Sequence, residues 1–481
     1  MSPVTREADG SSGSVGDAGG NVLALATSQT VWVASSVVIH LLLARYLGAG
    51  SYGLYAFVMG VTGLFVFIAN PYLHVLLARR IARRPEDARR EMGRGLVTTL
   101  GLSAVAVACI VGYATFRDGR VVVIGAAALG GAATALHALS LVGQGIFDGL
   151  RRMRLEVPAV AAGRAVVVVV TVLVLLAGGD LVGVFGAQVV GAFATFGIVL
   201  VVFWRQIGAF TLRTSFGEVG ALLRDTRPFA LNRLFDAVYL TADILILKEF
   251  RPDDEVGLYR IASILVLQMV FVATVLNRST YPRIVCQLGE PRRAGEELSF
   301  NLRILLVIGV PIALGGLCMP ADLLGWLVGS EYREAGLWLA LLLPLVPLRF
   351  VSNSLGWALS ALNRQDDRTR GVIAASVLGI GMNLVLIPVL GALGAVITLV
   401  VTATVLAGHH AHRLRPWISG VRLWGPLLRT LVPALLMGAV VLLAASLPVP
   451  VRIVIGAAVY GVGSNLSGAW STRDLARLRA I

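Results

Sequence analysis

The polar side chains buried within long apolar runs are where this sequence could do chemistry. Arg349 lies near the middle of the run from Ala335 to Leu362, one turn from Asn353 and beside Pro344 and Pro347. A planar guanidinium makes paired hydrogen bonds to phosphate, so Arg349 and Asn353 are candidate contacts for a phosphate or a sugar; the competing reading is an ion pair with an aspartate on another helix. The run from Pro228 to Leu247 carries Asn232, Arg233, Asp236 and Asp243. Asn232, Asp236 and Asp243 are spaced 4 and 7 apart, which puts them on one helical face. A face with two carboxylates does not look at lipid. It fits H⁺ or Na⁺ coupling or contacts to sugar hydroxyls, unless Arg233 pairs with Asp236 and Asp243 reaches water at the interface. Arg278, next to Asn277, and Arg164 could line the mouth of a cavity or snorkel to the interface. His40, His74 and His137 read as structural hydrogen-bonding groups, and Asn70-Pro71 as a kink.

The elements that position these residues follow from composition. The 481 residues are 57% hydrophobic and 14% charged, whereas a soluble domain carries about one quarter charged residues. The chain is therefore an all-α integral membrane protein. About 20 apolar residues cross a bilayer, and that ruler gives about fourteen transmembrane helices. With the N-terminus inside, arginines concentrate on one side loop after loop, which places both termini in the cytoplasm and accounts for the formal net charge of +14 without a nucleic acid partner. Cys109, Cys286 and Cys318 are isolated, so neither a disulfide nor a metal cluster is expected.

A short pattern occurs twice: Tyr52-Gly53-Leu54-Tyr55 falls on Val256-Gly257-Leu258-Tyr259 at an offset of 204 residues, each copy in a turn between two apolar runs. This repeat predicts two parallel six-helix lobes. The expected organisation is a disordered tail over 1–20, an N-terminal lobe over 21–204 and a cytoplasmic amphipathic linker over 205–227. A C-terminal lobe over 228–412 and an additional helix pair with a cytoplasmic tail over 413–481 complete it.

The motifs ARYLGAGSYGLYAF, LARRIARR, ADILILKEF followed by EVGLY, VGSEYREAGLWL and MNLVLIPVLGALGAVIT carry a resemblance. In their order and placement the chain resembles the polysaccharide-exporter branch of the multidrug/oligosaccharidyl-lipid/polysaccharide flippase superfamily. The resemblance implies a MATE-like pair of lobes that move an undecaprenyl-diphosphate-linked glycan to the outer leaflet of a bacterial cytoplasmic membrane by alternating access. It implies a lipid-linked glycan and the bilayer as partners, with a polysaccharide polymerase or other assembly proteins nearby, and no enzyme activity or resident cofactor. Fourteen-helix relatives imply a sodium site, for which Asp236 or Asp243, Asn383 and Thr402 or Thr404 could supply oxygens. The lipid II flippase lines its cavity with cations in the first, second and eighth helices, which favours a cavity role for Arg278; this chain lacks an arginine deep in its first span. A cation-coupled drug exporter is the nearer alternative. A membrane glycan polymerase or glycosyltransferase is the further one, because Asp253, Asp254 and Glu255 beside Arg251 read as a solvated turn.

Overall fold

The computed structural model describes residues 14–287, 290–418 and 424–469, for some of them the backbone alone. Seventeen α-helices follow one another among these residues: α1 (Ser14–Ala69), α2 (Leu73–Arg83), α3 (Ala88–Arg117), α4 (Val121–Gly149), α5 (Val157–Leu176), α6 (Leu181–Gln206), α7 (Phe216–Phe250), α8 (Asp253–Val285), α9 (Pro291–Leu317), α10 (Pro320–Leu327), α11 (Gly336–Leu342), α12 (Leu345–Ala361), α13 (Gln365–Leu390), α14 (Ala392–Arg413), α15 (Arg415–Ile418), α16 (Trp424–Leu443) and α17 (Val449–Leu466). Among the described residues, ten stretches are long and apolar enough to cross a membrane, or eleven if the bent pair Ser330–Leu342 and Leu345–Ala361 is one span. One of the ten, Gln29–Arg83, has 55 residues; at 1.5 Å per residue that is more than twice a ~30 Å hydrocarbon core. Gly48 divides it, with φ 75° and ψ 167° inside the otherwise helical α1. Only glycine adopts such a conformation without strain. The helix also begins at Ser14, inside the stretch expected as a tail, and the expected linker is helical from Phe216 onward, continuous with the seventh span.

The chain groups into two compact units, 1–38 with 65–234, and 39–64 with 235–481. In the first unit, α2, α3, α4 and α6 share a core of Leu73, Leu77, Met92, Val142, Ile146, Phe147, Val199 and Phe203. Between apolar helices in lipid such contacts stabilise by close packing, because the tails outside are as apolar as the core. Asp180 caps α6 by accepting from the Gly183 backbone at 3.2 Å. The charged ends of α2 and α3 hold the start of α7. Arg90 and Arg94 each reach Glu218 at 2.6 Å, Arg94 and Arg80 share the buried Glu91, and Arg80 reaches Asp225. The two arginines hold the Glu218 carboxyl below the usual carboxylate range, Arg90 most strongly.

In the second unit the two copies of the repeated pattern pack directly on each other. A Cβ at Gly53 would lie 2.8 Å from the Asp253 carbonyl carbon, and one at Gly257 2.9 Å from that of Ala49; each would also be 3.0 Å from the other glycine's backbone nitrogen. Ala49 and Asp253 are themselves related by the offset of 204, so the contact has local two-fold symmetry. The VGSEY motif closes over it: Tyr332 is fully buried, donates to the Ala44 carbonyl at 3.0 Å and meets Tyr52 edge-on. The acidic cluster after Lys248 is more than a solvated turn. Asp253 pairs with Lys248, Glu255 accepts from the Ala392 backbone at 2.7 Å, and Arg251 reaches the Val389 carbonyl at 3.3 Å. These groups satisfy the adjoining ends of α13 and α14, which would otherwise be orphaned. The C-terminal pair α16 and α17 seats on α9 through Leu306, Val310 and Ala434, with Tyr460 donating to the Val307 carbonyl at 2.7 Å. Arg452 of α17, 2% exposed, bonds Asp322 at 2.9 Å, and Arg333 takes the other oxygen at 2.7 Å.

Candidate functional site

Arg349 stands one turn into α12, after the bend at Pro344. Proline lacks the N–H that would continue the ladder, so the chain turns there and presents the next residues from a short helix. The guanidinium lies 6.0 Å from the Tyr239 ring centroid, and its Nε is buried with no hydrogen-bond partner. No carboxylate pairs with Arg349 among the described residues. Asn353 is drawn into a different arrangement. Its carbonyl accepts from Asn277 at 2.7 Å, while the Asn277 carbonyl accepts from Asn301 at 2.7 Å and Ser354 at 2.9 Å. Asn301 also donates to Thr280 at 2.6 Å. This network ties α8, α9 and α12 together, and Asn277 and Asn301 are each 1% exposed. Buried amides satisfied this way fix helix register as well as adding stability.

Arg260 is not among the residues that the sequence singles out as site candidates. It sits two turns into α8, about 10 Å from the first helical residue at 1.5 Å per residue, half-buried and with its Nε unpartnered. Its place was readable only by starting the helix at Asp253 instead of at the glycine. Arg260 and Arg349 are both within electrostatic reach of Tyr259. The tyrosine hydroxyl in turn donates to Asp243 at 2.6 Å, and Asp243 is 7% exposed. Two cations and one already hydrogen-bonded carboxylate therefore share this part of the second unit.

Asn383 of α13 is buried with its Oδ1 unpartnered, and Thr402 of α14 donates to the Thr398 carbonyl at 2.7 Å. Thr404 donates to the Val400 carbonyl. Among the described residues no hydrogen bond or ion pair joins Asp243 to Asn383 or Thr402, and no three His, Cys, Asp or Glu side chains are grouped to hold a metal. The side chains of Asn232, Asp236 and Arg278 lie outside the described residues.

In the first unit the Arg164 guanidinium lies 4.9 Å from the Trp32 ring centroid, and Arg233 lies 5.2 Å from that of Tyr72. Asn70-Pro71 is a break and not a bend: α1 ends at Ala69, Tyr72 takes φ 59°, and α2 begins at Leu73. His40, in the second unit, is within 2.9 Å of the Tyr52 hydroxyl and packs edge-on against Tyr52 and Tyr55, as expected of a structural histidine.

The family described as polysaccharide biosynthesis protein matches residues 18–286. Two relatives from Haloferax volcanii are similar over parts of the chain. The probable low-salt glycan biosynthesis flippase Agl15 is 23% identical over 228 residues, 46% of this chain and 48% of its own length. The probable flippase AglR is 30% identical over 183 residues, 36% and 37% of the two chains. The chain thus spans less than half the length of these curated relatives. Among solved structures, the lipid II flippase MurJ in an inward closed conformation superposes with a TM-score of 0.71 at 11% identity, over 93% of this chain and 98% of that one. An inward-facing multidrug resistance MATE family transporter of the MOP superfamily gives 0.62 at 17% identity, over 82% and 95%. At such identities the likeness is one of fold. A family match over more than half of the chain, on a helical membrane fold shared with these transporters, places the protein in the polysaccharide biosynthesis protein family.

Proposed function

We propose that the protein is a flippase that carries an undecaprenyl-diphosphate-linked oligosaccharide from the inner to the outer leaflet of a bacterial cytoplasmic membrane by alternating access. The observation that carries this reading is the pair Arg349 and Arg260, held within membrane helices without a described carboxylate partner. An isolated charge in an apolar medium is costly, and a diphosphate supplies the missing counter-charge with acceptors suited to a guanidinium. Tyr239 adds a surface on which a sugar or the guanidinium itself can rest. The sugar hydroxyls need hydrogen-bonding groups along the path, and Asn353 has its amide donors left for them once its carbonyl is engaged. Two six-helix lobes with both termini in the cytoplasm, fourteen spans in all, and coupling to H⁺ or Na⁺ through Asp236, Asp243, Asn383 or Thr402 belong to the same proposal. The relatives in Haloferax volcanii, named as probable flippases, support the reaction class.

The test is the cytoplasmic-leaflet level of undecaprenyl-linked glycan after deletion of the gene, with rescue by wild type and by Arg349→Ala at equal membrane levels. Build-up that wild type clears and Arg349→Ala does not is the expected result. Absence of build-up, or full rescue by Arg349→Ala, refutes the reading.

A further inference from the structure

We propose that the connection between α6 and α7 is an interfacial lipid site, a strap fixed to the first unit that presents Trp204, Leu212 and Phe216 to the acyl chains, and Arg205, Arg213 and Arg224 to the headgroups, of anionic phospholipid. It rests on the membrane class of the chain and not on the flippase reading, because the ligand is a lipid of the surrounding leaflet and not a transported one. The strap is held down along its length. Arg89 of α3 donates from Nε to the Ile207 carbonyl at 2.8 Å. Gly208, with φ 110°, passes over that guanidinium so closely that a Cβ would lie 2.9 Å from the Arg89 Cζ. Gly93, one turn further along α3, makes room for the Thr211 carbonyl, whose carbon would be 2.8 Å from an added Cβ. Ile207 and Phe210 pack inward on the core of the first unit, Phe210 edge-on to Phe203 at 5.7 Å. Ser215 and Glu218 then start α7 as a capping box: the serine hydroxyl accepts from the Glu218 backbone at 3.3 Å and the Glu218 carboxylate from the Ser215 backbone at 3.2 Å.

What faces outward is apolar and cationic. Phe216 is 98% exposed, and Trp204 and Leu212 are exposed beside it, although Ile207 and Phe210 of the same short segment are packed inward. On α7, Glu218, Leu222 and Asp225 are spaced 4 and 3 apart and share one face. Leu222 joins the core, and the two carboxylates are taken by Arg80, Arg90 and Arg94. Phe216, Gly220 and Arg224, each 4 apart, share the opposite face, where a Cβ at Gly220 would meet nothing within 4 Å. The acids are thus turned to the protein and the arginines away from it. Among the described residues, Arg205, Arg213 and Arg224 are exposed and none of them pairs with a carboxylate. Large apolar side chains interleaved with unpaired arginines are both satisfied at the boundary between the headgroups and acyl chains of an anionic leaflet. The level of the strap agrees. Exposed Asp180 caps one end of α6, whose 26 residues extend about 39 Å at 1.5 Å per residue. Against a ~30 Å hydrocarbon core, the last turns of α6 therefore carry Trp204, Arg205 and the strap into the headgroup layer opposite. A soluble acidic partner would match the arginines but not this depth.

The test uses the purified full-length chain in nanodiscs of phosphatidylcholine and phosphatidylglycerol. The fluorescence that Phe216→Trp adds over wild type reports on the strap alone. It should be shielded from aqueous iodide and quenched by lipid brominated near the headgroup end of its acyl chains. At equal bulk fraction, brominated phosphatidylglycerol should quench it more than brominated phosphatidylcholine, and the two quenching curves give the relative affinity of the strap for the anionic lipid. Adding Arg213→Gln or Arg224→Gln should lower that relative affinity about fivefold, the effect of one basic residue at an anionic surface. Arg213→Lys should keep it, and Arg293→Gln, whose arginine already pairs with Glu290, should leave it unchanged. Quenching by iodide and by neither lipid places this face in water and overturns the inference in favour of a soluble acidic partner. Equal quenching by the two lipids, or a preference for phosphatidylglycerol that the arginine substitutions leave intact while the variants melt like wild type, overturns it as well. None of these results bears on the leaflet measurement.

Discussion

Replacing Gly53 by alanine tests whether the repeated motif is an interlock of two helices. In an open helix position the change stabilises by about 0.5–1 kcal/mol, because alanine restricts the unfolded chain and favours helix. Gly50, five residues into the same hairpin region and with open space around it, should show that gain. At Gly53 the added carbon would sit 2.8 Å from the Asp253 carbonyl carbon, against an ordinary contact of 3.4 Å or more. The Asp253 carbonyl oxygen would lie closer still, and being backbone it has no rotamer to move aside, so the two helices must part by well over the about 0.6 Å that the carbon alone demands. Overpacking of this kind costs about 1–3 kcal/mol and outweighs the propensity gain. Gly53→Ala and Gly257→Ala should therefore each lower stability by about 1–2 kcal/mol, by similar amounts, and the double variant should lose less than their sum because one separation relieves both clashes. Unfolding of the purified protein in one detergent, followed by intrinsic fluorescence beside Gly50→Ala, gives the comparison. Gly53→Ala equal to or more stable than wild type refutes the interlock, and a cost at one glycine alone refutes its symmetry.

Three other outcomes follow from the packing. Asn277→Ala leaves Asn301, Asn353 and Ser354 each short of a partner and should cost about 2–4 kcal/mol in the same unfolding assay, whereas Asn353→Ala, half-buried and at the edge of the network, should cost less. Asp322→Asn removes the countercharge of the buried Arg452 and should loosen α17, read as faster hydrogen exchange over residues 449–466 with α3 unchanged. Glu218 has its carboxyl pKa depressed from an ordinary 4.5, so its contribution is present above that value and is lost as pH falls through the depressed one. Protection of residues 216–225 against hydrogen exchange, with the intrinsic slowing of exchange at lower pH taken out, should be lost in wild type as pH falls below the ordinary 4.5. In Glu218→Gln exchange should be fast already at pH 7.

Apolar periodicity and the arginine distribution made the membrane class and most helix positions legible, because both are set locally by the lipid. The two-fold contact was legible in kind, since Gly53 and Gly257 stood at one offset, but not that the copies touch; alignment of a repeat does not reveal which surfaces meet. Arg349 was legible as a deep cation. Arg260 was not, because starting the helix at Asp253 instead of at Gly257 moves the side chain from its first turn to its second. Asn353 was read as a ligand contact and is held by Asn277, a partner 76 residues away that sequence spacing cannot indicate. The Asn70-Pro71 pair was read as a bend, for which proline alone is sufficient reason. The break needs in addition the left-handed Tyr72 and the Asn70 cap, and a tyrosine carries no sequence signal for that conformation.

The repeat also shows where the two halves diverged. The residue equivalent to Asn70 at the offset of 204 is Thr274, whose hydroxyl bonds back to the Val270 carbonyl at 3.3 Å while α8 continues to Val285. Pro71 corresponds to Val275, which donates its N–H in the ordinary way and has no ring to clash. One proline therefore separates a half whose second span is broken at Asn70 from a half whose α8 runs unbroken through the equivalent position. Pro71→Ala should let α1 run on into α2 and engage the donors at Leu73 in the helix ladder, read as slowed hydrogen exchange over residues 70–73. The Gly53 contact, eighteen residues earlier in the chain, should keep its stability. If residues 70–73 exchange in the variant as they do in wild type, the Asn70 cap and the left-handed Tyr72, and not the proline, hold the break.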